Sequence, residues 1–397
     1  MTLEQTVAPS VVQRFASAPF IVIWEMTRAC ALACVHCRAE AIPHRHPDEL
    51  STEEGRRLID AVASFGNRPP LFVLTGGDPM RRRDVAGLIR HAVGRGLSVG
   101  MTPSGTAAVT RARLEEIRDA GLGRLAVSLD GPDAASHDAF RRVRGSHRYT
   151  MRIIDDARDL GLPLQINTTV SRETVADLPT MAQIVERSGA VLWALFFLIP
   201  VGRARQEQAL IASEIEAVLE WAMDLQDHSP FGIKTTEAPQ FHRLLAGRHH
   251  DARAQGRAGR AVTDGNGFLF IDHVGAICPS GFLPLSAGNV RTDDLVQVYR
   301  EHALFRSLRD PDRLGGRCGR CEFRTRCGGS RARAFAATGD PLAEDPGCVY
   351  VPAARRLHVT TTPAAVSTAE AHRTVATACA SAVLPTAAPS ARHSTGA

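Results

Sequence analysis

From Phe20 onward, short apolar runs alternate with stretches whose apolar residues recur every three to four positions. The runs Phe20–Trp24, Leu71–Thr75, Leu97–Thr102, Arg124–Asp130, Leu164–Val170 and Leu192–Ile199 predict strands. The stretches near 51–65, 84–94, 110–120, 149–160, 174–188 and 213–225 predict amphipathic helices between and after them. Ser51-Thr-Glu-Glu54 has the spacing of a capping box, and Gly66, Gly94, Gly121 and Gly161 stand where helices should stop. This alternation implies an α/β fold of parallel strands covered by helices. Six such units are too few for a closed eight-fold barrel. Two architectures remain: a partial (β/α)6 barrel with an open side for a large substrate, and a doubly wound open sheet. In both, ligands sit at the carboxyl ends of the strands.

The pattern weakens outside this region. Residues 1–18 read as an N-terminal arm, 19–225 as the barrel and 226–262 as a bridge, polar from His249-His250 to Arg260. Gly267–Ile271 and Gly275–Pro279 predict a β-hairpin that opens a smaller unit, 263–355. From 356 to 397 the chain is rich in Ala, Thr, Ser and Pro, the composition of a disordered tail. The longest apolar run, Ala190–Ile199, is too short to span a bilayer, so no membrane association is expected.

The chain has 397 residues, 44% of them hydrophobic, and a net charge of +5. Almost all the positive charge is arginine; Lys234 is the single lysine. No basic block interleaved with aromatics suggests nucleic-acid binding. A basic region followed by an apolar core is absent from the N-terminus, so a cytoplasmic, reducing location is expected. Clustered cysteines there argue for metal ligation over disulfides.

Cys30, Cys34 and Cys37 follow the first strand at C-x3-C-x2-C spacing. Thiolates suit zinc or iron–sulfur clusters. A structural zinc site needs four protein ligands. His36 could offer one, but its place between two ligand positions would strain a tetrahedron. A four-iron cluster on three cysteines leaves one iron open to a chelating small molecule. Other unusual loops also follow strands. In Gly76-Gly77-Asp78-Pro79 the glycines permit close backbone approach and the acid could accept from an ammonium; an ordinary turn is the plainer reading. Arg81, Arg82, Arg83, Arg141, Arg142 and Arg144 lie on loops ringing the mouth, as pairs for substrate carboxylates or as a solvated rim. A second group, Cys318, Cys321, Cys327 and Cys348, supplies four ligands, for which zinc and a four-iron cluster are equal choices by spacing.

The first cysteine triplet, with His36 before its last member, resembles the signature of the radical S-adenosylmethionine (SAM) enzymes. In that family a 4Fe-4S cluster held by three cysteines chelates SAM and splits it by one electron, giving a 5′-deoxyadenosyl radical that abstracts hydrogen from substrate. The resemblance favours the partial barrel. It implies that Cys30, Cys34 and Cys37 hold the cluster, and that Gly76, Gly77 and Asp78 stand for the family's GGE loop against the SAM amino group. Ser128-Leu-Asp130-Gly131-Pro132 and His137-Asp138-Ala-Phe-Arg141 resemble a segment whose Ser and Arg reach the SAM carboxylate, which implies those roles for Ser128 and Arg141. By the same likeness Asn167 and the backbone at Val201-Gly202 would face ribose or adenine.

Residues of about 267–352 resemble a SPASM or Twitch-like extension, in the manner of the haem b and haem d1 maturases. This implies a second, auxiliary 4Fe-4S cluster on Cys318, Cys321, Cys327 and Cys348. Ser330 stands where a cysteine usually follows two glycines, so Cys278 is expected to be an orphan of an empty first auxiliary site. Cys379 is expected to be a free thiol. The resemblance further implies a flavodoxin or ferredoxin electron donor and a tetrapyrrole substrate in haem-type cofactor synthesis, or alternatively a ribosomally made peptide. An iron–sulfur redox sensor and a zinc protein are the readings outside this class.

Overall fold

The computed structural model of the protein describes residues 15–66, 68–248 and 261–353. Seven parallel strands, each neighbour to the next, run β1 (Ile21–Glu25), β2 (Leu71–Thr75), β3 (Val99–Met101), β4 (Arg124–Ser128), β5 (Leu164–Val170), β6 (Leu192–Phe197) and β7 (Gly232–Thr236). Helices α1 (Thr52–Ala63), α2 (Val85–Gly94), α3 (Arg111–Asp119), α4 (Ala134–Arg141), α5 (Ser146–Asp159), α6 (Leu178–Arg187) and α7 (Ala212–Gln226) connect them. The sheet curls without closing, which makes it a partial barrel.

The apolar runs become strands because parallel strands are covered on both faces. Trp24, Phe72, Leu74, Leu125, Val127, Ile166, Trp193 and Leu195 are all buried. Helix α1 lies so close to the sheet that a Cβ on Gly55 would stand 2.6 Å from the Trp24 ring. Its capping box forms as the sequence predicts, Ser51 receiving from Glu54 N and Glu54 from Ser51 N.

Two elements depart from the sequence reading. Strand β7 lies inside the stretch expected to bridge the two units and adds a seventh strand to the expected six. Helix α4 replaces part of a loop: Asp133 caps it by accepting from Ser136 N, and Arg142 ends it at φ 55°. Arg141 therefore sits on the last turn of a helix. No helix among the described residues is long and apolar enough to cross a membrane.

The expected hairpin forms from β8 (Phe268–Ile271) and β9 (Ile277–Cys278), yet it does not stand apart. Strand β8 pairs in parallel with β1, so the sheet order is β7-β6-β5-β4-β3-β2-β1-β8-β9. Short helices follow: α8 (Gln240–Arg248) between β7 and β8, then α9 (Leu295–Glu301), α10 (Ala303–Arg309), α11 (Gly316–Gly319) and α12 (Arg331–Thr338). The N-terminal arm before residue 15, the stretch His249–Arg260, the tail beyond 353 and Cys379 lie outside the described residues.

Arg291, in the C-terminal third, ties back to the barrel through α1. Its Nε donates to Glu54 Oε1 at 2.7 Å, while Ser51 N donates to Glu54 Oε2 at 2.7 Å. The Arg291 bond foremost, then that of Ser51, holds the Glu54 carboxyl down at about 2, from an ordinary 4.5. A depressed carboxyl contributes stability that is complete above its unfolded value and lost as pH falls through the folded one. The stability difference between wild type and Glu54→Gln, measured by urea denaturation, should be constant above pH 4.5 and shrink steadily below it. A difference that stays flat down to about pH 3 would contradict this tie.

Candidate functional site: the cysteine loop at the barrel mouth

The loop between β1 and α1 is closed at its neck. Cys30 N donates to Ile42 O at 2.8 Å and Ile42 N to Arg28 O at 3.0 Å. The buried Glu49 carboxylate fastens the base, accepting from Thr27 Oγ1 at 2.6 Å, Arg28 N at 3.0 Å and Arg45 Nε at 2.8 Å. The loop's outer turn rests on the end of α4. Ala33 N donates to Arg141 O and Val35 N to Phe140 O, and the His36 ring stacks on Phe140 at 4.4 Å.

The Gly-Gly-Asp loop runs alongside. Gly77 N donates to Thr27 O at 2.7 Å and Asp78 N to Ala29 O at 2.8 Å. A Cβ on Gly76 would stand 2.3 Å from Thr27 O, and one on Gly77 2.5 Å from Ala29 O. Gly76 also holds φ +145°. Only glycine fits at this approach. Asp78 does not present an open carboxylate. Its Oδ1 accepts from Met80 N at 3.1 Å and Ser104 N at 3.3 Å, and its Oδ2 from Thr106 Oγ1 at 3.1 Å. Burial pushes the Asp78 carboxyl up against these donors. The acid expected to accept from an ammonium thus holds its own loop in shape.

Each sulfur of the triplet has a donor or hydroxyl beside it. Leu32 N donates to Cys30 Sγ at 3.3 Å, Ala41 N to Cys37 Sγ at 3.4 Å and Arg141 Nη1 to Cys34 Sγ at 3.7 Å. Ser104 Oγ lies 3.3 Å from Cys30 Sγ and donates to Gly77 O at 2.6 Å. Ser104 was not among the expected site residues; its only signal was its place after the third strand. Burial pushes the Cys30 and Cys34 thiols up, with Arg141 pulling Cys34 the other way. Thiols so placed become thiolates when a cation binds them.

Arg141 is already engaged. Its Nη2 pairs with the buried Asp130, whose Oδ1 accepts from Thr169 N at 2.7 Å. Burial would raise the Asp130 carboxyl, and the Arg141 charge overrides this and lowers it. Ser128 ends β4, half-buried, in register with Asn167 of β5. Asn167 is buried and accepts from Gln165 Nε2 at 2.7 Å. After β6 the chain folds over the triplet: a Cβ on Gly202 would stand 2.6 Å from Cys37 O, and Arg203 N donates to that oxygen at 3.1 Å. Arg38, next to Cys37, reaches out of the barrel. It pairs with the buried Glu25 at 2.9 Å and lies over the Phe270 ring at 4.6 Å, and His273 Nδ1 lies 3.0 Å from the other Glu25 oxygen.

The expected arginine rim divides. Arg81, Arg83, Arg142 and Arg144 are exposed. Arg82 is buried beneath Trp24, pairing with Asp84 and donating to Leu50 O at 2.7 Å, so its task is structural.

Around the loop several buried side-chain nitrogens have no partner among the described residues: Arg28 Nε, His36 Nδ1, Arg141 Nε and Arg203 Nε and Nη2. Burial, then Arg141, with Arg203 adding, pushes the His36 imidazole down to about 3. Orphaned donors around three thiols are what an anionic cluster and its carboxylate-bearing ligand would satisfy, so the residues present fit both groups.

In the C-terminal third, Cys318, Cys321, Cys327 and Cys348 line one pocket with Gln240 and Arg243 of α8. Phe323 N donates to Cys321 Sγ, Gly329 N to Cys327 Sγ and Asp345 N to Cys318 Sγ at 3.3–3.4 Å. Among the described residues no three His, Cys, Asp or Glu side chains group tightly enough for a single metal ion. Ser330 caps α12, accepting from Arg333 N at 3.0 Å and donating to Glu237 Oε2 at 2.5 Å. Cys278 is buried on β9 opposite Phe270, its thiol pushed up to about 12, by burial first and then by Asp272.

A cysteine loop after the first strand of an open parallel barrel, clasped by a double-glycine loop, defines the radical SAM class. The radical SAM superfamily profile matches residues 24–185, and the chain belongs to that family. It is a radical SAM enzyme, whose family implies a 4Fe-4S cluster and SAM. Among its relatives is an AdoMet-dependent heme synthase of Nitratidesulfovibrio vulgaris, 41% identical over 342 residues, 84% of this chain and 92% of the relative. A protein of the same description from Methanosarcina barkeri is 38% identical over 347 residues, 85% and 98% of the two chains. Among solved structures, Streptococcus suis SuiB bound to precursor peptide SuiA superposes with a TM-score of 0.67 at 14% identity, over 85% of this chain and 78% of that one. That likeness is one of fold.

The glycine contact can be tested. Gly77→Ala should cost about 2–3 kcal/mol in thermal unfolding and lower the iron bound after anaerobic reconstitution. Gly94→Ala, in the last turn of α2 with a Cβ that meets nothing within 4 Å, should leave the iron unchanged and raise stability by about 0.5–1 kcal/mol. Equal iron in both variants would show that the close approach does not shape the loop.

Proposed function

We propose that this chain is an AdoMet-dependent heme synthase, acting by hydrogen abstraction on the carboxylated side chains of an iron porphyrin. The observation that carries this is the 41% identity to the N. vulgaris heme synthase along 92% of that protein's length. A second reading, maturation of a ribosomal peptide, is favoured by the shared fold with peptide-bound SuiB.

In this reading Cys30, Cys34 and Cys37 hold the catalytic 4Fe-4S cluster, and the Gly76-Gly77 backbone and Ser128 border the SAM. The two groups together supply one-electron, hydrogen-abstracting chemistry when bound. The chain's own residues set the place for it. Asp78 holds the glycine loop against Thr27–Ala29. Arg141, kept cationic by Asp130, donates toward Cys34 and offsets the charge of the thiolates. The buried walls exclude water from the reacting atoms. Cys318, Cys321, Cys327 and Cys348 would hold an auxiliary 4Fe-4S cluster. Four cysteines lining one pocket suit a four-iron cluster, and zinc is the alternative that the same donor set takes. A flavodoxin or ferredoxin of a reducing cytoplasm would supply the electron.

Reconstituted protein given reductant, SAM and iron coproporphyrin III should release 5′-deoxyadenosine and yield a porphyrin of lower mass with its iron retained. Unaltered porphyrin, with SAM still cleaved, would turn the reading to a peptide. Cys34→Ala should abolish SAM cleavage with the circular dichroism unchanged; normal cleavage would remove the triplet from the site. Cys321→Ala should lower the iron content from about eight to about four per chain while SAM cleavage at the first cluster survives. An unchanged iron count would exclude a second cluster.

A further inference from the structure

Arg203 enters on the loop that follows β6, where Gly202 folds over the carbonyl of Cys37. Its backbone N–H is spent on that carbonyl. Its guanidinium is not: Nε and Nη2 are shielded from solvent, and among the described residues neither has a hydrogen-bond partner. These two nitrogens form the side-on edge of the guanidinium fork. That edge presents two parallel N–H groups at the spacing of the two oxygens of a carboxylate. Three other arginines near the mouth already have a carboxylate partner. Arg141 gives its terminal nitrogens to Asp130 and Cys34, Arg38 gives its own to Glu25 and Gly281, and Arg82 gives Nε and Nη2 to Asp84.

Arg203 is half-buried, and its shielded Nε–Nη2 edge lacks both water and a protein acceptor, a cost that an anion seated on it would remove. Sulfide could take one N–H; the paired edge is the shape for a carboxylate. The hydrogen bond from Arg203 N to Cys37 O, 3.1 Å, sets the residue beside the cysteine triplet.

We propose that Arg203 is the carboxylate anchor of the barrel mouth, its Nε–Nη2 edge gripping a carboxylate that a bound small molecule brings in. Two molecules could bring one: SAM, through its amino-acid end, and a carboxylated porphyrin. The assignment rests on the radical SAM site described above, and on the heme-synthase reading only for the porphyrin arm. Arg141, tied to Asp130 and Cys34, then serves the cluster side of the site.

The test uses the full chain, reconstituted with iron and sulfide, as wild type, Arg203→Gln and Arg203→Lys. SAM binding is measured by equilibrium dialysis, and binding of iron coproporphyrin III and of its tetramethyl ester by absorbance titration. If SAM supplies the carboxylate, Arg203→Gln weakens SAM at least tenfold and leaves the porphyrin unchanged. If the porphyrin supplies it, the acid binds at least tenfold more weakly to Arg203→Gln, while the ester, already weak on wild type, does not change. Arg203→Lys, with the charge but not the fork, falls between wild type and Arg203→Gln. Affinities within twofold of wild type for both ligands would overturn the proposal. Should Arg203→Gln fail to hold iron, Arg203→Lys carries the measurement. Loss of iron from both would also overturn it, by showing that Arg203 acts only through the loop. Porphyrin left untransformed by wild type defeats the heme-synthase reading without touching the SAM arm.

Discussion

The site depends on two stretches of backbone lying closer together than side chains would allow. Thr27–Ala29 and Gly76–Asp78 are laid side by side, and their hydrogen bonds continue the β1–β2 pairing beyond the strands themselves. This contact fixes where the cysteine loop leaves the sheet. Asp78 spends its carboxylate on keeping the second stretch in place, and Ser104 ties the third strand's loop to both Gly77 and Cys30. Three loops from three adjacent strands are thereby made one rigid floor.

On that floor charge is distributed by burial. The thiols, Asp130, Arg141 and His36 sit where an isolated ion would be expensive. Asp130 and Arg141 meet that cost for each other. The remaining donors have no partner among the described residues. A second chain of contacts leaves the same loop in the opposite direction: Arg38 to Glu25, Glu25 to His273, and Arg38 over Phe270. It joins the cysteine loop to the C-terminal hairpin through side chains that are nearly all buried.

Most of the barrel was legible in the sequence because strands covered on both faces read as apolar or β-branched runs; β2 matches its expected bounds residue for residue, as does the Ile-, Val- and Thr-bearing β5. Strand β7 was not, because its Gly-Ile-Lys-Thr-Thr carries one buried apolar side chain and lies at the sheet's edge. Helix α4 was missed because it buries only His137 and Phe140, too few to show a period. The cysteine triplet, the glycine pair and the arginine of α4 were visible as local spacings. The task of Asp78 was not, since two of its three partners lie 26 and 28 residues away. Arg203 was likewise hidden, because an unfilled guanidinium is a property of its surroundings.

The pairing of β8 with β1 has a consequence for how the molecule is divided. Strand β1, from which the cysteine loop springs, is an interior strand only because residues from the far end of the chain lie against it. With those residues gone, one flank of β1 would offer open N–H and carbonyl groups to any passing chain. The two units that look separable along the polypeptide are one body at the strand that matters most. The cysteine loop is finished only after the last third of the chain has folded back beneath it.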